Sequence, residues 1–576
     1  MSKFPVETIR HSAAHVMAAA VQKLFNDVRF DIGPATADGF YYDFDMPTRL
    51  TPEDLEKIEA EMKKIINARV PFEYFEMTRP EAEAMLKEKG QIFKLERLAA
   101  IPEGDKISFY KTGDYVDLCR GPHVEHSGQI GAVKLLSIAG SYFKGDEKNP
   151  MLQRVYGTAF AEKSELHDYL QMIEEAKKRD HRKLGVELDL FSFSENVGPG
   201  LVLWHPKGAF IRNQFETYWR EQHYLNGYQL MYTPHIGRCE LWQTSGHLDF
   251  YRDGMYSPMD IDDHDYYVKP MNCPFHIEIY KSRNRSYREL PCRWAELGTV
   301  YRYEKSGTLH GLLRARGFTQ DDAHIICTPE QIENEIAEVL RFSLSIWKTF
   351  GFTKIKPYLS TRPAKAVGAP EKWAKAIDSL EKAVKKAGLE CVVDEGGGAF
   401  YGPKIDLKVL DAIGREWQTT TIQFDFNLPE RFNMTYTGED GKLHQPFMVH
   451  RALFGSIERF FGILIEHYAG AFPLWLAPEQ GRILPITDNQ KEAAYALKEK
   501  MAAAGLRVTV DERSQSLGGK IKDCRNDRLQ YILVIGEREA AENKVGVRSR
   551  REGELGAMAP EALIAKMQKE VCEKTF

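Results

Sequence analysis

The period of apolar and polar positions changes repeatedly along the chain, and each change marks an element. The run RHSAAHVMAAAVQKLF, Arg10 to Phe25, reads as a helix that sets His11 and His15 four apart on one face. Between Ala161 and Lys183, Leu166, Leu170 and Ile173 line one side of a charged helix that runs into KKRDHRK. That pattern predicts a solvated linker. The stretch HPKGAFIRNQFETYWREQHYLNGYQLMYTPHI reads as a long helix and a strand ending at Pro234. Two apolar-rich strands, Leu297–Tyr303 and Phe318–Cys327, are predicted on either side of about a dozen residues rich in Gly, Ser and Arg. Thr353 to Gly388 carries a helical run, then DEGGGAFYGPKIDLKV, a Gly-rich hairpin or a place where backbone approaches a ligand. Gly455–Ala469 is an apolar helix holding Arg459. Thereafter RILPIT, a helix from Asn489 to Ala504, RVTVDE, a helix near Lys520–Leu529, YILVIGE, KVGVRSR and a helix from Ala559 alternate. That alternation predicts an α/β domain with a mostly parallel or mixed sheet.

A chain of 576 residues is too long for one core, so several domains are expected. Apolar content of 43% and charged content of 28% describe an ordinary globular protein. The net charge of −5 draws no nucleic acid to the whole molecule, so an RNA-binding surface must be a local basic patch. Lys520, Lys522, Arg525, Arg528, Lys544, Arg548, Arg550 and Arg551 gather near the C-terminus, as a solvated face or a phosphate-contacting one. No run suits a membrane span, and MSKFPVETIRHS lacks the apolar core of a signal peptide, which predicts a cytoplasmic chain with no membrane contact. The 8 cysteines are too scattered for a disulfide framework, which leaves metal or catalytic use for any that matter.

Chemistry concentrates in two places. The strand pair centred on residue 310 carries Arg302, Glu304, Gln320, Asp322 and His324 where core strands should be apolar, so each needs a partner or a ligand. Near the N-terminus, Cys119 and His123 repeat the four-residue separation of His11 and His15. The four donors suit a tetrahedral metal site or a cleft of neutral imidazoles that activates water.

The hairpin WAELGTVYRYEKSGTLHGLLRARGFTQDDAHIIC resembles motif 2 of the class II aminoacyl-tRNA synthetases, in the form found in threonyl-tRNA synthetases. The likeness extends over nearly the whole chain. It implies a multidomain α/β and α+β fold: an editing domain at 1–160, a linker helix at 161–183, an antiparallel-sheet catalytic core at 184–474 and an α/β anticodon-binding domain at 475–576. HSAAH, YVDLCRGPH and MLQRVYGTAF resemble the editing domain, whose pocket would comprise His11, His15, Lys94, Asp117, Cys119 and His123. A related alanyl-tRNA editing domain holds zinc on this pattern; here a metal-free cleft is expected. HPKGAF onward resembles motif 1, which implies a homodimer, although a buried amphipathic helix fits the spacing as well.

The same likeness implies one zinc per subunit on Cys273, His324 and His450, and Mg2+ with ATP. Phe275 and Thr419–Thr420 depart from the family pattern around that site. By resemblance, Arg302 meets the α-phosphate, while Arg314 and Arg459 hold the β/γ end. Glu304 orients the adenine or its ribose, and Phe318 stacks on the base. Gln320 holds the amine of L-threonine and Asp322 its hydroxyl, while Tyr401, Lys404, Gln418, Thr421 and Gln423 face substrate. His247, followed by Tyr251, is a base for transfer to tRNA(Thr). Glu539 and Arg548 read anticodon bases, with Ser514 and Ser516 standing where longer side chains are frequent.

The expected activity is that of a threonine–tRNA ligase that hydrolyses mischarged seryl-tRNA(Thr). Apolar walls separate the isosteres valine and threonine by only about a hundredfold, so a metal that grips the hydroxyl explains the choice. Serine has that hydroxyl and lacks one methyl, worth roughly 1–3 kcal/mol, so a second hydrolytic pocket is needed. Two alternatives stand beside this reading: a non-catalytic synthetase-like tRNA-binding or regulatory paralogue, which would lose the arginines and metal ligands, and a class II enzyme for serine or proline. Many family members begin with a small ubiquitin-like domain. Either the sequence is part of a longer one or its lineage dispenses with that domain.

Overall fold

A computed structural model describes residues 4–364, 366–399 and 401–575. The chain forms two compact units, one reaching Glu174 and one beginning at Glu175.

In the first unit an alanine-rich helix, Val6–Leu24, packs on the strands Phe40–Asp45 and Met151–Phe160 and on the helix Pro52–Asn67. Ala13, Ala14, Ala18 and Ala20 are fully buried; with no side chain beyond Cβ they allow close approach to the sheet. The helix begins a turn earlier than the apolar pattern predicts, because the Pro5 carbonyl accepts from the N–H groups of Thr8 and Ile9. Four antiparallel strands, in the order Arg29–Phe30, Phe40–Asp45, Met151–Phe160, Ala132–Tyr142, form one sheet. Phe72–Glu76, Ser108–Thr112 and Tyr115–Leu118 form a second.

The linker differs from expectation. Its helix, Lys163–Arg179, has no buried residue and stops at Asp180, whose carboxylate accepts from the Arg182 N–H (2.8 Å) and starts a second helix, His181–Glu187.

The second unit is built on an eight-stranded, mainly antiparallel sheet. Its order is Gln229–Leu230, Cys292–Tyr301, Gly317–Cys327, Phe447–Ser456, Glu416–Asp425, Lys404–Leu410, Ile355–Ser360, Val392–Asp394. Helices Pro206–Leu225, Ile332–Thr349 and Ile457–Tyr468 contribute Phe215, Trp219, Trp347 and Phe460 to the core that covers one face. The first hairpin arm starts at Cys292, earlier than predicted, and ends at Tyr301; Arg302 and Glu304 lie beyond the ladder rather than within it.

Register decides the chemistry of this hairpin. Trp294 faces His324, Glu296 faces Asp322, and Gly298 faces Gln320. Residues two apart share a face, so Gln320, Asp322 and His324 point together away from the helical core. Asp321 points the other way, buried, and its carboxylate accepts from the N–H groups of Leu453, Phe454 and Gly455 at 2.8–3.1 Å. The ladder shifts register at that point, so Asp321 holds a bulge in the strand Phe447–Ser456.

A five-stranded mixed sheet with its own core closes the chain, in the order Val508–Val510, Gly481–Pro485, Tyr531–Ile535, Val545–Ser549, Gly553–Met558. The helix expected near Lys520–Leu529 spans Leu517–Asn526; Arg528, at φ +60°, ends it and turns Leu529 inward. Lys520 is corrected as a patch member: it is buried and donates to the Asp511 carbonyl (2.8 Å). Among the described residues no helix is long and apolar enough to cross a membrane.

Candidate active and editing sites

A cavity of about 330 Å³ opens on the polar face of the large sheet. Cys273, at the start of the helix Cys273–Lys281, meets His324 and His450 there, and their donor atoms lie within 4.8 Å of one another. The imidazoles are adjacent because their strands pair at that rung. His324 Nδ1 lies 2.9 Å from His276 Nδ1, and His276 Nε2 lies 3.2 Å from Glu296. His450 Nε2 lies 2.7 Å from Asp425, which leaves its Nδ1 as the free donor. His324 Nε2 is buried without a hydrogen-bond partner, an orphan that a cation would satisfy. One thiol and two imidazoles, each imidazole backed by a polar partner, fit zinc with an open position for substrate. Burial raises the Cys273 thiol and keeps His324 neutral, so the site pays a desolvation cost that a divalent ion relieves.

Gln320, Asp322, Tyr401, Thr421 and Gln423 line the same cavity. Burial raises the Asp322 carboxyl, and Asn272 Nδ2 donates to it (3.1 Å). Tyr401 donates to Gln423 Oε1 (2.8 Å), and Thr421 donates to Asp406 (2.6 Å). Lys404 pairs with Asp406 (2.7 Å), and neither it nor the exposed Gln418 is among the residues that line this cavity. Phe275 packs behind the site against Trp242, ring centroids 5.8 Å apart. Thr419 lines the cavity, whereas Thr420 is turned to the core, donating to the Leu453 carbonyl.

Cations edge the cavity. Arg302 lines it, with its guanidinium carbon 5.2 Å from the Phe318 ring centroid and 5.7 Å from that of Tyr251, and Nε on the Pro270 carbonyl (3.3 Å). Arg459 stands in the first turn of Ile457–Tyr468, with Nη1 3.4 Å from the Leu313 carbonyl. Among the described residues neither guanidinium has a carboxylate in ion-pair range, which leaves both charges open to an anionic ligand. Arg314 pairs with Glu304 at 2.9 Å in the hairpin loop. His247, buried, has Nδ1 2.7 Å from Ser245 Oγ and Nε2 2.9 Å from Met271 Sδ. Burial, and then Arg302, push its pKa down to about 4.

Sequence reasoning missed His276, Glu296, Asp425 and Arg431. The first three stand behind His324 and His450 and leave no local pattern. Arg431 donates from Nε to the Thr244 carbonyl (2.8 Å), at the end of the helix preceding His247.

In the first unit His11, His15, Cys119 and His123 converge, donors within 4.8 Å. His11 Nδ1 lies 3.2 Å from the Pro122 carbonyl, which must accept, so Nε2 carries a lone pair. Ser12 Oγ donates to the Thr8 carbonyl and therefore accepts from His123 Nδ1 (3.1 Å), which leaves His123 Nε2 a lone pair as well. Both lone pairs turn to Cys119 Sγ, 3.4 Å away. Behind them Asp117 binds Lys94, His15 Nε2 (3.3 Å) and the Tyr42 hydroxyl (2.6 Å). Burial lowers all three imidazoles and raises the Cys119 thiol to about 12, so the cluster is uncharged.

That burial has a consequence for acid stability. An unfolded histidine titrates near 6.5, and these three do so lower in the fold, so the unfolded chain binds protons that the folded one refuses. Stability is complete above about pH 6.5 and is lost as pH falls below it, by up to about 1.4 kcal/mol per pH unit for each histidine. Hydrogen exchange of Val6–Leu24 should accelerate steeply between pH 6.5 and 5. Unchanged protection over that range would contradict it.

In the C-terminal sheet domain, Glu539 accepts from the Gly536 N–H (3.1 Å), and Arg548 lies 3.3 Å from Glu554 on the strand Val545–Ser549.

The large antiparallel sheet, with charged side chains gathered on its open face, defines a class II aminoacyl-tRNA synthetase core. Residues 256–468 match the tRNA synthetase class II core domain (G, H, P, S and T), residues 480–570 an anticodon binding domain, and residues 107–156 the threonyl and alanyl tRNA synthetase second additional domain. The chain belongs to the threonine–tRNA ligase family. It is 52% identical to the threonine–tRNA ligase of Sulfurihydrogenibium sp. over 576 residues, covering 99% of this chain and 90% of the relative. It is 53% identical to that of Aquifex aeolicus over 560 residues, 97% and 88% of the two chains. The RNA binding domain of threonyl-tRNA synthetase from Cryptosporidium parvum superposes with a TM-score of 0.64 at 39% identity, over 68% of this chain and 98% of that one. A putative threonyl-tRNA synthetase from Aeropyrum pernix gives 0.61 at 31%, over 69% and 97%.

Proposed function

We propose that this chain activates L-threonine with ATP, passes it to tRNA(Thr) and clears seryl-tRNA(Thr) in a separate pocket. The observation that carries the amino-acid choice is the orphaned Nε2 of His324 beside Cys273 and His450, in one cavity with Gln320 and Asp322. Those three residues would hold one zinc, which when bound supplies Lewis acidity for a hydroxyl and an amine. Valine offers no hydroxyl to such a site.

The carboxylate of threonine attacks the α-phosphorus of ATP, and the bond to pyrophosphate breaks. Negative charge grows on the phosphoryl oxygens, and fixed cations stabilise it most where water is excluded. Arg302 meets the α-phosphate, and Arg459 with Arg314 takes the β/γ end; Mg2+, when bound with ATP, would supply further positive charge there. Glu304 orients adenine or ribose, and Phe318 stacks on the base. Asp322 accepts the hydroxyl proton and Gln320 holds the amine, within walls formed by Tyr401, Thr421 and Gln423. Lys404 faces substrate from the same wall, steadied by Asp406, which also accepts from Thr421. A tRNA ribose hydroxyl then attacks the carbonyl carbon, its proton passes to His247, and AMP leaves. A base must be unprotonated to work, and burial, with Arg302 nearby, favours the neutral form of His247.

Seryl-tRNA is hydrolysed at His11, His15, Cys119 and His123 as a metal-free cleft, with Lys94 and Asp117 setting its charge. Changing His11 and His15 to Ala should let seryl-tRNA accumulate while threonine-dependent pyrophosphate exchange keeps its rate. Loss of exchange in that variant would make the histidines structural. Glu539 and Arg548 read the anticodon, and the enzyme works as a cytoplasmic homodimer joined through the Pro206–Leu225 region. Pyrophosphate exchange with threonine, serine and valine tests the whole: strong, weaker and nearly absent activity are expected in that order. Absence of exchange with all three would leave only a binding protein.

A further inference from the structure

A third group of chemistry-bearing side chains, Asp180, His181 and Glu466, belongs to neither site, although its donor atoms lie within 4.8 Å of one another. His181 is fully buried and both ring nitrogens are engaged. The Leu312 N–H donates to Nε2 (3.1 Å), which must be the unprotonated nitrogen, so Nδ1–H donates to Glu466 Oε1 (2.7 Å). No lone pair is left for a metal. Glu466 is fixed in turn by Arg415, 2.7 Å away.

The residue that His181 holds is the tip of the hairpin loop. Leu312 lies between Gly311 and Leu313, and the Leu313 carbonyl is the one that Arg459 Nη1 reaches at 3.4 Å. Arg314 follows directly. A Cβ on Gly311 would stand 2.3 Å from His181 Nε2, and its φ of +52° favours glycine, so this glycine permits the contact. On the other side a Cβ on Gly462 would meet Leu313 Cδ2 at 3.1 Å and Leu312 Cβ at 3.3 Å. The tip is seated between an imidazole and a bare stretch of the helix that carries Arg459.

We propose that His181 is a positioning residue for ATP: through the Leu312 N–H it fixes the hairpin tip, and with it the placement of Arg314 and Arg459. This rests on the reading of those two arginines as triphosphate ligands. A misplacement of about 1 Å in such a site costs about a hundredfold. Loss of the clamp should therefore appear in the ATP parameters and spare the threonine pocket, whose walls come from the sheet.

The test is pyrophosphate exchange by the full-length enzyme with ATP and threonine varied in turn. His181→Phe keeps a ring of similar size and removes both nitrogens; His181→Gln keeps an acceptor for the Leu312 N–H. The expected result is a KM for ATP raised about ten- to a hundredfold in the Phe variant, a threonine KM within about twofold, and substantial recovery with Gln. Gly311→Ala, which leaves His181 in place, should reproduce the ATP-selective defect and decides the matter if His181→Phe does not fold. Equal rises in both KM values, an unchanged ATP KM, or a Gln variant as impaired as Phe would overturn the proposal. Wild-type enzyme without threonine-dependent exchange would instead sink the functional reading beneath it.

Discussion

Threonine-dependent pyrophosphate exchange by an Arg302→Ala variant is expected to fall about a thousandfold, some 4 kcal/mol of lost transition-state stabilisation. The guanidinium lines the cavity with a hydrogen bond to the Pro270 carbonyl and two aromatic rings near it, and among the described residues no carboxylate is in ion-pair range of it. On the proposed reading it is preorganised for an anion that arrives with substrate, and its charge would be worth most as the phosphoryl group carries extra negative charge. Arg302→Lys should recover only part of the rate, because an ammonium lacks the planar fork. Steady-state exchange reads both effects, and the loss should fall on kcat more than on the threonine KM. A drop of less than about tenfold would mean that another group carries the α-phosphate.

The second large effect concerns selection. In the wild-type enzyme, valine should be activated about ten-thousandfold less efficiently than threonine, the range open to sites that leave a buried polar group unpaired when the hydroxyl is missing. Replacing Cys273 by Ser or His324 by Ala should reduce bound zinc from one per chain to none and lower threonine activation by at least about a hundredfold. The ratio between the two amino acids should collapse towards about a hundredfold, the limit of apolar walls. Elemental analysis beside exchange kinetics checks this. Two zinc ions per chain would return the editing cluster to the metal sites. Unaltered discrimination in a zinc-free variant would place the choice elsewhere.

Much of this was legible in the residues, for reasons that differ from place to place. The hairpin was readable because Gln320, Asp322 and His324 break an apolar strand at spacing two, and period-two spacing means one face. The editing cluster was readable as two four-residue separations, although only the fold shows that Ser12 and Pro122 set the tautomers. The backing groups were invisible. His276, Glu296 and Asp425 reach His324 and His450 across strands and helices, and nothing in local sequence marks a carboxylate as the partner of a histidine far along the chain. Element ends were missed where one polar group decides them: Asp180 broke a helix that amphipathic spacing alone would have continued. Lys520 was misplaced for a related reason, since a lysine written among basic residues gives no sign that the Asp511 carbonyl already holds it.

Asp321 carries a burden that its neighbour conceals. Its carboxylate anchors the backbone of Leu453, Phe454 and Gly455, and the strand then hands over through Ser456 to the helix bearing Arg459. The residue proposed to read the amino acid and the one that pins the strand leading to Arg459 are therefore consecutive in the chain. Anyone re-engineering the enzyme for another amino acid has freedom at Asp322 but almost none one step before it. A mutagenic library that randomises the pair together would discard working backbones along with unwanted pockets.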